Sequence, residues 1–133
     1  MSDESRIMAG ILLLALVTVE TGGLYLLALV RGSAPATDFQ QSFARAGHAH
    51  AGVLLVLALT CQVFADAADQ GGVLAWLSRS GVAVSALLMP AGFFFSSMGR
   101  ERHRPNAWIT LVYAGAALLA ASLISLGIGL LVA

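Results

Sequence analysis

The stretch FARAGHAHAGVLLVLAL, residues 43–59, sets Arg45, His48 and His50 at the head of a run that is otherwise apolar. A fourth polar residue, Glu20, interrupts LLLALVTVETGGLYLLAL in the first apolar segment. These are residue types with chemistry to offer. A neutral imidazole ligates metals and titrates near neutral pH, and an intramembrane carboxylate handles protons or pairs with a cation. An acidic side chain at the centre of a spanning helix costs roughly 2.5–3.5 kcal/mol, so its presence calls for a role or a partner.

Spacing constrains what the four residues can do together. Gln41, Arg45, His48 and Gly52 follow steps of four, three and four and share one helix face. If the second helix starts just after Thr37, His48 lies about 15 Å along it, and Glu20 lies about as far from the Val30 end of an antiparallel first helix. The similar depth predicts that Glu20 meets Arg45 or His48, giving a candidate proton relay of Glu20, Arg45 and His48. His50 is rotated about 200° from His48. One ion is therefore not chelated by both from a regular helix, and the two histidines serve different neighbours. His48, His50 and Glu20 are the candidate metal ligands.

Other candidates are weaker in pattern. Met89 is a soft donor suited to heme iron or copper, and Pro90 beside it predicts a kink in the third span. Ala44, Ala46, Gly47, Ala49, Ala51 and Gly52 are small, which suits either close helix packing or backbone clearance for a flat macrocycle beside an axial histidine. Arg100, Arg102 and Arg104 lie in the basic loop GRERHRPN and fit anionic lipid headgroups. His103 belongs to the same loop. Trp76 and Trp108 near span ends suit interfacial anchoring.

The elements that must hold these residues follow from composition. The chain has 133 residues, 59% of them hydrophobic and 11% charged, with a mean hydropathy of +0.87. That balance is foreign to soluble domains and places the chain in a lipid bilayer. Seven acids balance seven bases, all arginine, so no basic surface invites nucleic acid. A single cysteine, Cys61, excludes an internal disulfide and multi-cysteine clusters. The start, MSDESR, lacks the basic region of a signal peptide, so the first apolar segment is expected to persist in the mature protein. About 20 apolar residues cross a bilayer as helix, and four such runs are present, about 7–30, 37–65, 73–98 and 106–132. They predict an all-α, single-domain, integral membrane four-helix bundle. Thr37 and Gln40 read as a capping box for the second helix. Pro105 stands where a fourth helix starts. Arg31, Arg100, Arg102 and Arg104 in the first and third loops, against Arg6 and Arg79 on the other side, predict a cytoplasmic-membrane protein with both termini on the non-cytoplasmic side.

At AGHAHAGVLLVL the sequence resembles the histidine-bearing helices of the heme-copper oxidase and nitric oxide reductase superfamily, and small four-span proteins related to their subunit I. The resemblance implies that His48 and His50 present imidazoles on opposite helix faces as heme ligands, with Glu20 as a proton-handling carboxylate. The third span has no histidine, and no further intramembrane histidine completes a copper site. What the resemblance implies here is therefore a heme held between helices or subunits, not an oxygen-reducing centre.

Three functions fit the residues. One is a membrane redox or gas-sensing protein that binds heme b through His48 and His50, with Met89 as a further ligand. Another is an oligomeric proton- or metal-coupled channel or transporter that uses Glu20, Arg45 and His48, with a transition metal ion in place of heme. The third is a structural or assembly subunit of a larger membrane complex, in which the polar residues set helix register. The partners expected are lipid and a homo-oligomer or larger complex. No Ser-His-acid arrangement, phosphate-cradling glycine loop or H-E-x-x-H motif supports hydrolase chemistry.

Overall fold

A computed structural model describes residues 1–133. Four long helices account for nearly all of it, and there are no strands: α1 (Asp3–Val30), α2 (Asp38–Ala67), α3 (Gly72–Ser97) and α4 (Thr110–Val132), the last preceded by a 3-10 turn over Ala107–Ile109. All four are long and apolar enough to cross a membrane, so the chain is an integral membrane four-helix bundle.

Local chemistry explains the helix ends. α1 starts at Asp3, ahead of its apolar run, because the Ser2 side chain caps the Ser5 N–H and Asp3 and Glu4 sit in the positive first turn. It stops in a Schellman motif, with the Ser33 N–H bonded to Ala28 O, the Gly32 N–H to Leu29 O, and Gly32 at φ +69°. That left-handed backbone favours glycine. The capping box at Thr37 is formed, with Gln40 N–H donating to Thr37 Oγ1 at 3.2 Å and Thr37 N–H to Gln40 Oε1 at 3.1 Å. Asn106 caps the 3-10 turn through the Trp108 N–H at 2.9 Å. α3 is continuous through Pro90, whose missing N–H leaves the Ala86 carbonyl without its helical donor.

Thr37 and Gln40 also join two loops. The Thr37 hydroxyl donates to the Arg102 carbonyl, and Gln40 Nε2 donates to Ser97 O at 3.0 Å and Gly99 O at 2.8 Å, satisfying carbonyls where α3 ends. Thr37→Ala is expected to cost about 1–2 kcal/mol, read as a lowered unfolding midpoint in micelles with native helix content. An unchanged midpoint would show that the cap does not hold this end of the bundle.

Successive helices are the principal neighbours, α1 on α2, α2 on α3 and α3 on α4, whereas α1 and α4 do not touch. The arrangement is an open row, curved so that α2 and α3 hold the centre. The core draws Leu54, Leu55, Ala58 and Cys61 from α2, Val82, Ala86 and Met89 from α3, Leu12 from α1 and Leu126 from α4. The α3–α4 seam is built of small residues. Gly81, Ser85 and Gly92 face Gly115, Ser122 and Ser125, all buried, and the backbones approach closely. Lipid tails offer no hydrophobic drive for helices to associate, so close contact through small residues supplies the packing energy.

Candidate ligand site on the second helix

His48 and His50 leave α2 in different directions, as their two-residue spacing requires. His48 points to α1. A Cβ placed on Gly22 would lie 3.1 Å from His48 Nδ1, and one on Gly23 3.6 Å from its Cε1, so the imidazole rests in a notch made by the glycine pair. Neither ring nitrogen of His48 has a hydrogen-bond partner. Neither is sealed from solvent, since the one buried side-chain polar atom without a partner is Gln62 Oε1. Above the notch, an open cavity of about 600 Å³ separates α1, α2 and the end of α3. It is lined by Thr21, Gly22, Tyr25, Ala44 and Phe94 among others. Gly22 thus touches both His48 and the cavity, and Ala44 stands one turn from His48 on the same face.

His50 points toward α3. Its Nδ1 lies 2.7 Å from the carbonyl of Ala46. A carbonyl only accepts, so Nδ1 carries the proton and donates, which leaves Nε2 with its lone pair free. The ring also rests against Phe93, with centroids 4.9 Å apart, and Phe93 is braced by Phe43 at 5.5 Å, itself 4.3 Å from Phe39. A backbone hydrogen bond on one nitrogen and an aromatic wall beside the ring fix both tautomer and orientation, the arrangement by which proteins prepare a histidine to ligate. A shallow concavity of about 160 Å³ beside the ring is lined by Ala49, His50, Val53 and Leu54.

The expected meeting of Glu20 with Arg45 or His48 does not occur within the chain. Glu20 is exposed and makes no ion pair. The reason is helical rotation: the Gly22–Gly23 pair receives His48, and Glu20 lies about 110° around the helix from the middle of that pair. Arg45 is exposed as well, and its guanidinium reaches only Gln41 Oε1, at 3.5 Å. No three His, Cys, Asp or Glu side chains come together in a way that would hold a metal ion. Met89 is 7% exposed and packs on Gly115 of α4. Arg100 and Arg104 are exposed at the α3–α4 loop, while Arg102 is turned back onto Met98 O at 2.7 Å.

Sequence reasoning missed a second polar cluster at the other end of the bundle. Asp66, near the end of α2, accepts from Ser2 N–H at 2.7 Å and from the Ser2 and Ser5 hydroxyls at 2.8 Å each. Arg79 of α3 lies 3.0 Å from the same carboxylate and donates to Ser2 Oγ at 2.6 Å and Ser5 Oγ at 2.9 Å. Gln62, fully buried, donates to the Arg79 carbonyl at 2.7 Å. The cluster ties the start of α1 to α2 and α3 with its charges matched, and it reads as a structural clasp. Its only sequence trace was an acid and a base flanking one short loop. Nearby, Ser78, Gln70 and Ser125 form a smaller network that joins the α2–α3 loop to α4.

Comparison with known proteins leaves the reading to the residues themselves: no family model, no curated protein and no solved structure matches the chain.

Proposed function

We propose that the protein is a small membrane redox or gas-sensing protein that binds a b-type heme, with Nε2 of His50 as the atom that would ligate it. One observation carries this reading: His50 is the only histidine in the spans whose Nδ1–H is anchored, here on Ala46 O with its ring against Phe93, so that its second nitrogen is oriented and unencumbered. The bound group would supply electron transfer or the binding of a diatomic gas. The chain's own contribution is to hold the imidazole in a fixed orientation, beside a shallow concavity lined by Ala49, Val53 and Leu54. That concavity is well below the roughly 300–1,000 Å³ of small-molecule pockets, so lipid or a neighbouring protein covers the rest of the macrocycle. His48, on the opposite side of α2 beside the larger cavity, faces away from His50 and would serve a separate group. A transition metal ion is the alternative occupant, and with no three ligating side chains gathered in one chain it needs ligands from elsewhere.

In this reading the chain lies in the cytoplasmic membrane, with the Arg31 and Arg100–Arg104 loops on the cytoplasmic side, where exposed Arg100 and Arg104 meet anionic headgroups. The test is an absorption spectrum with metal analysis of protein purified in micelles and titrated with hemin. The wild type is expected to develop a Soret band, and His50→Ala to weaken uptake at least tenfold with helix content intact. No band in the wild type, or equal uptake by His50→Ala, would sink the proposal.

A further inference from the structure

Glu20 and Arg45 are the two charged residues well inside the spans that have no opposite charge in their own chain, and both are exposed. α1 is also the least covered helix, with 6% of its most apolar eighteen-residue window buried, against 28–39% for the other three. The helix geometry relates the two charges. On α1, Ser5, Leu12 and the Gly22–Gly23 pair mark the direction of α2, and Glu20 lies about 85° around from their mean at 100° per residue. On α2, His48 and Asp66 mark the direction of α1, and Arg45 lies about 60° around from them. The rotations have the same sign along their own chains, and in antiparallel right-handed helices that face each other this means opposite senses in space, which carry both side chains to the same side. Both side chains therefore emerge on one side of the α1–α2 pair, whereas Gly47, Leu54 and Ala58 turn α3 to the other side.

Their depths differ modestly. Gly22 and His48 are level; Glu20 is two residues from Gly22, and Arg45 is three residues from His48 in the opposite direction. The axial offset is about 7.5 Å, within reach of an arginine side chain. Around them stand exposed apolar residues, Leu13, Val17 and Leu24 on α1 and Val56 on α2.

From this we propose that the face is a dimer interface for a second copy of the chain, related by a two-fold axis along the membrane normal. Glu20 pairs there with the partner subunit's Arg45, and Arg45 reciprocally with the partner subunit's Glu20. The charges argue for this occupant. A face bearing one acid and one base at nearby depths is self-complementary under a two-fold axis, so a single operation matches both charges. Charged residues in spans characteristically pair with one another, and lipid would leave both unmatched. The interface is on a different side of α2 from His50, so it stands independently of the heme reading.

The experiment uses full-length chains in lipid vesicles, counted by single-molecule photobleaching, with circular dichroism as the check on folding. Wild type is expected to be dimeric. Glu20→Arg alone and Arg45→Glu alone are each expected to reduce the dimer fraction at least tenfold at a fixed protein-to-lipid ratio. Mixing the two single variants is expected to restore dimers, because each supplies the charge the other needs. A monomeric wild type, or single variants that dimerise as well as wild type, would overturn the proposal. So would rescue by Glu20→Arg/Arg45→Glu in one chain without rescue by mixing, since that pattern belongs to an intrachain pair.

Discussion

Gly92→Ala is expected to destabilise the bundle by about 1–3 kcal/mol, near the upper end of what an added methyl costs in a close-packed interior. A Cβ at Gly92 would lie 2.6 Å from the backbone nitrogen of Val112 and 2.7 Å from its Cγ2. The backbone atom is what makes the effect large, because no rotamer change moves it and α3 and α4 must part along the seam. Gly81 is a useful contrast. Its new Cβ would meet Ser122 Oγ at 1.8 Å and Ser122 Cβ at 2.9 Å, so rotation of one hydroxyl relieves the first clash and only a small shift is left for the second. Gly81→Ala combined with Ser122→Ala is therefore expected to be milder than Gly92→Ala. Unfolding of the variants in mixed micelles, followed by circular dichroism, measures the order. A Gly92→Ala protein as stable as wild type would mean that α3 and α4 do not approach as closely as the seam requires.

Asp66→Ala is expected to lower the unfolding midpoint in micelles and to free the first half of α1. The carboxylate accepts from one backbone N–H and two hydroxyls and faces the Arg79 guanidinium, and the two side chains are 19% and 21% exposed. Removing one partner of such a pair leaves the other charge with only hydroxyls to solvate it. Residual exposure moderates the loss here. Asp66→Asn retains an acceptor for the serines and is expected to fall between alanine and wild type. The locus of the effect follows from the topology: α1 packs chiefly on α2 and does not touch α4, so the clasp at its start is its main polar tie to the rest. Amide exchange should rise over residues 3–16 of Asp66→Ala while α3 and α4 stay protected. Uniform exchange across all four helices would show instead that the clasp supports the whole bundle.

Much of the architecture was legible in the residues because spanning helices announce themselves by length and continuous apolarity. Composition pointed to a membrane protein with four spans, and the largest departures of the helices from the four runs, four residues each, are at the start of α4, where a 3-10 turn intervenes, and at the start of α1. There the Ser2 cap extends the helix to Asp3, a polar signal that an apolar count passes over. The Thr37–Gln40 box was read correctly from a three-residue spacing because both its bonds are local. The divergence of His48 and His50 was legible for the same reason, being a property of one helix.

What required tertiary structure was every relation between helices. Sequence depth put Glu20 level with His48, but depth says nothing about azimuth, and the contact of Gly22 and Gly23 with His48 turns Glu20 away. The glycine pair was itself the available signal, since small residues mark the face where a neighbour approaches. Asp66 and Arg79, thirteen positions apart, join Ser2 and Ser5 only because the fold brings the α2–α3 loop beside the amino terminus. The sequence by itself determined the membrane setting, the number of spans, the caps and the opposed faces of the two histidines, because these depend on local hydrogen bonding and hydrophobicity. The tertiary structure alone decided which face of each helix is covered, and so which polar residues are partnered and which are left for another molecule.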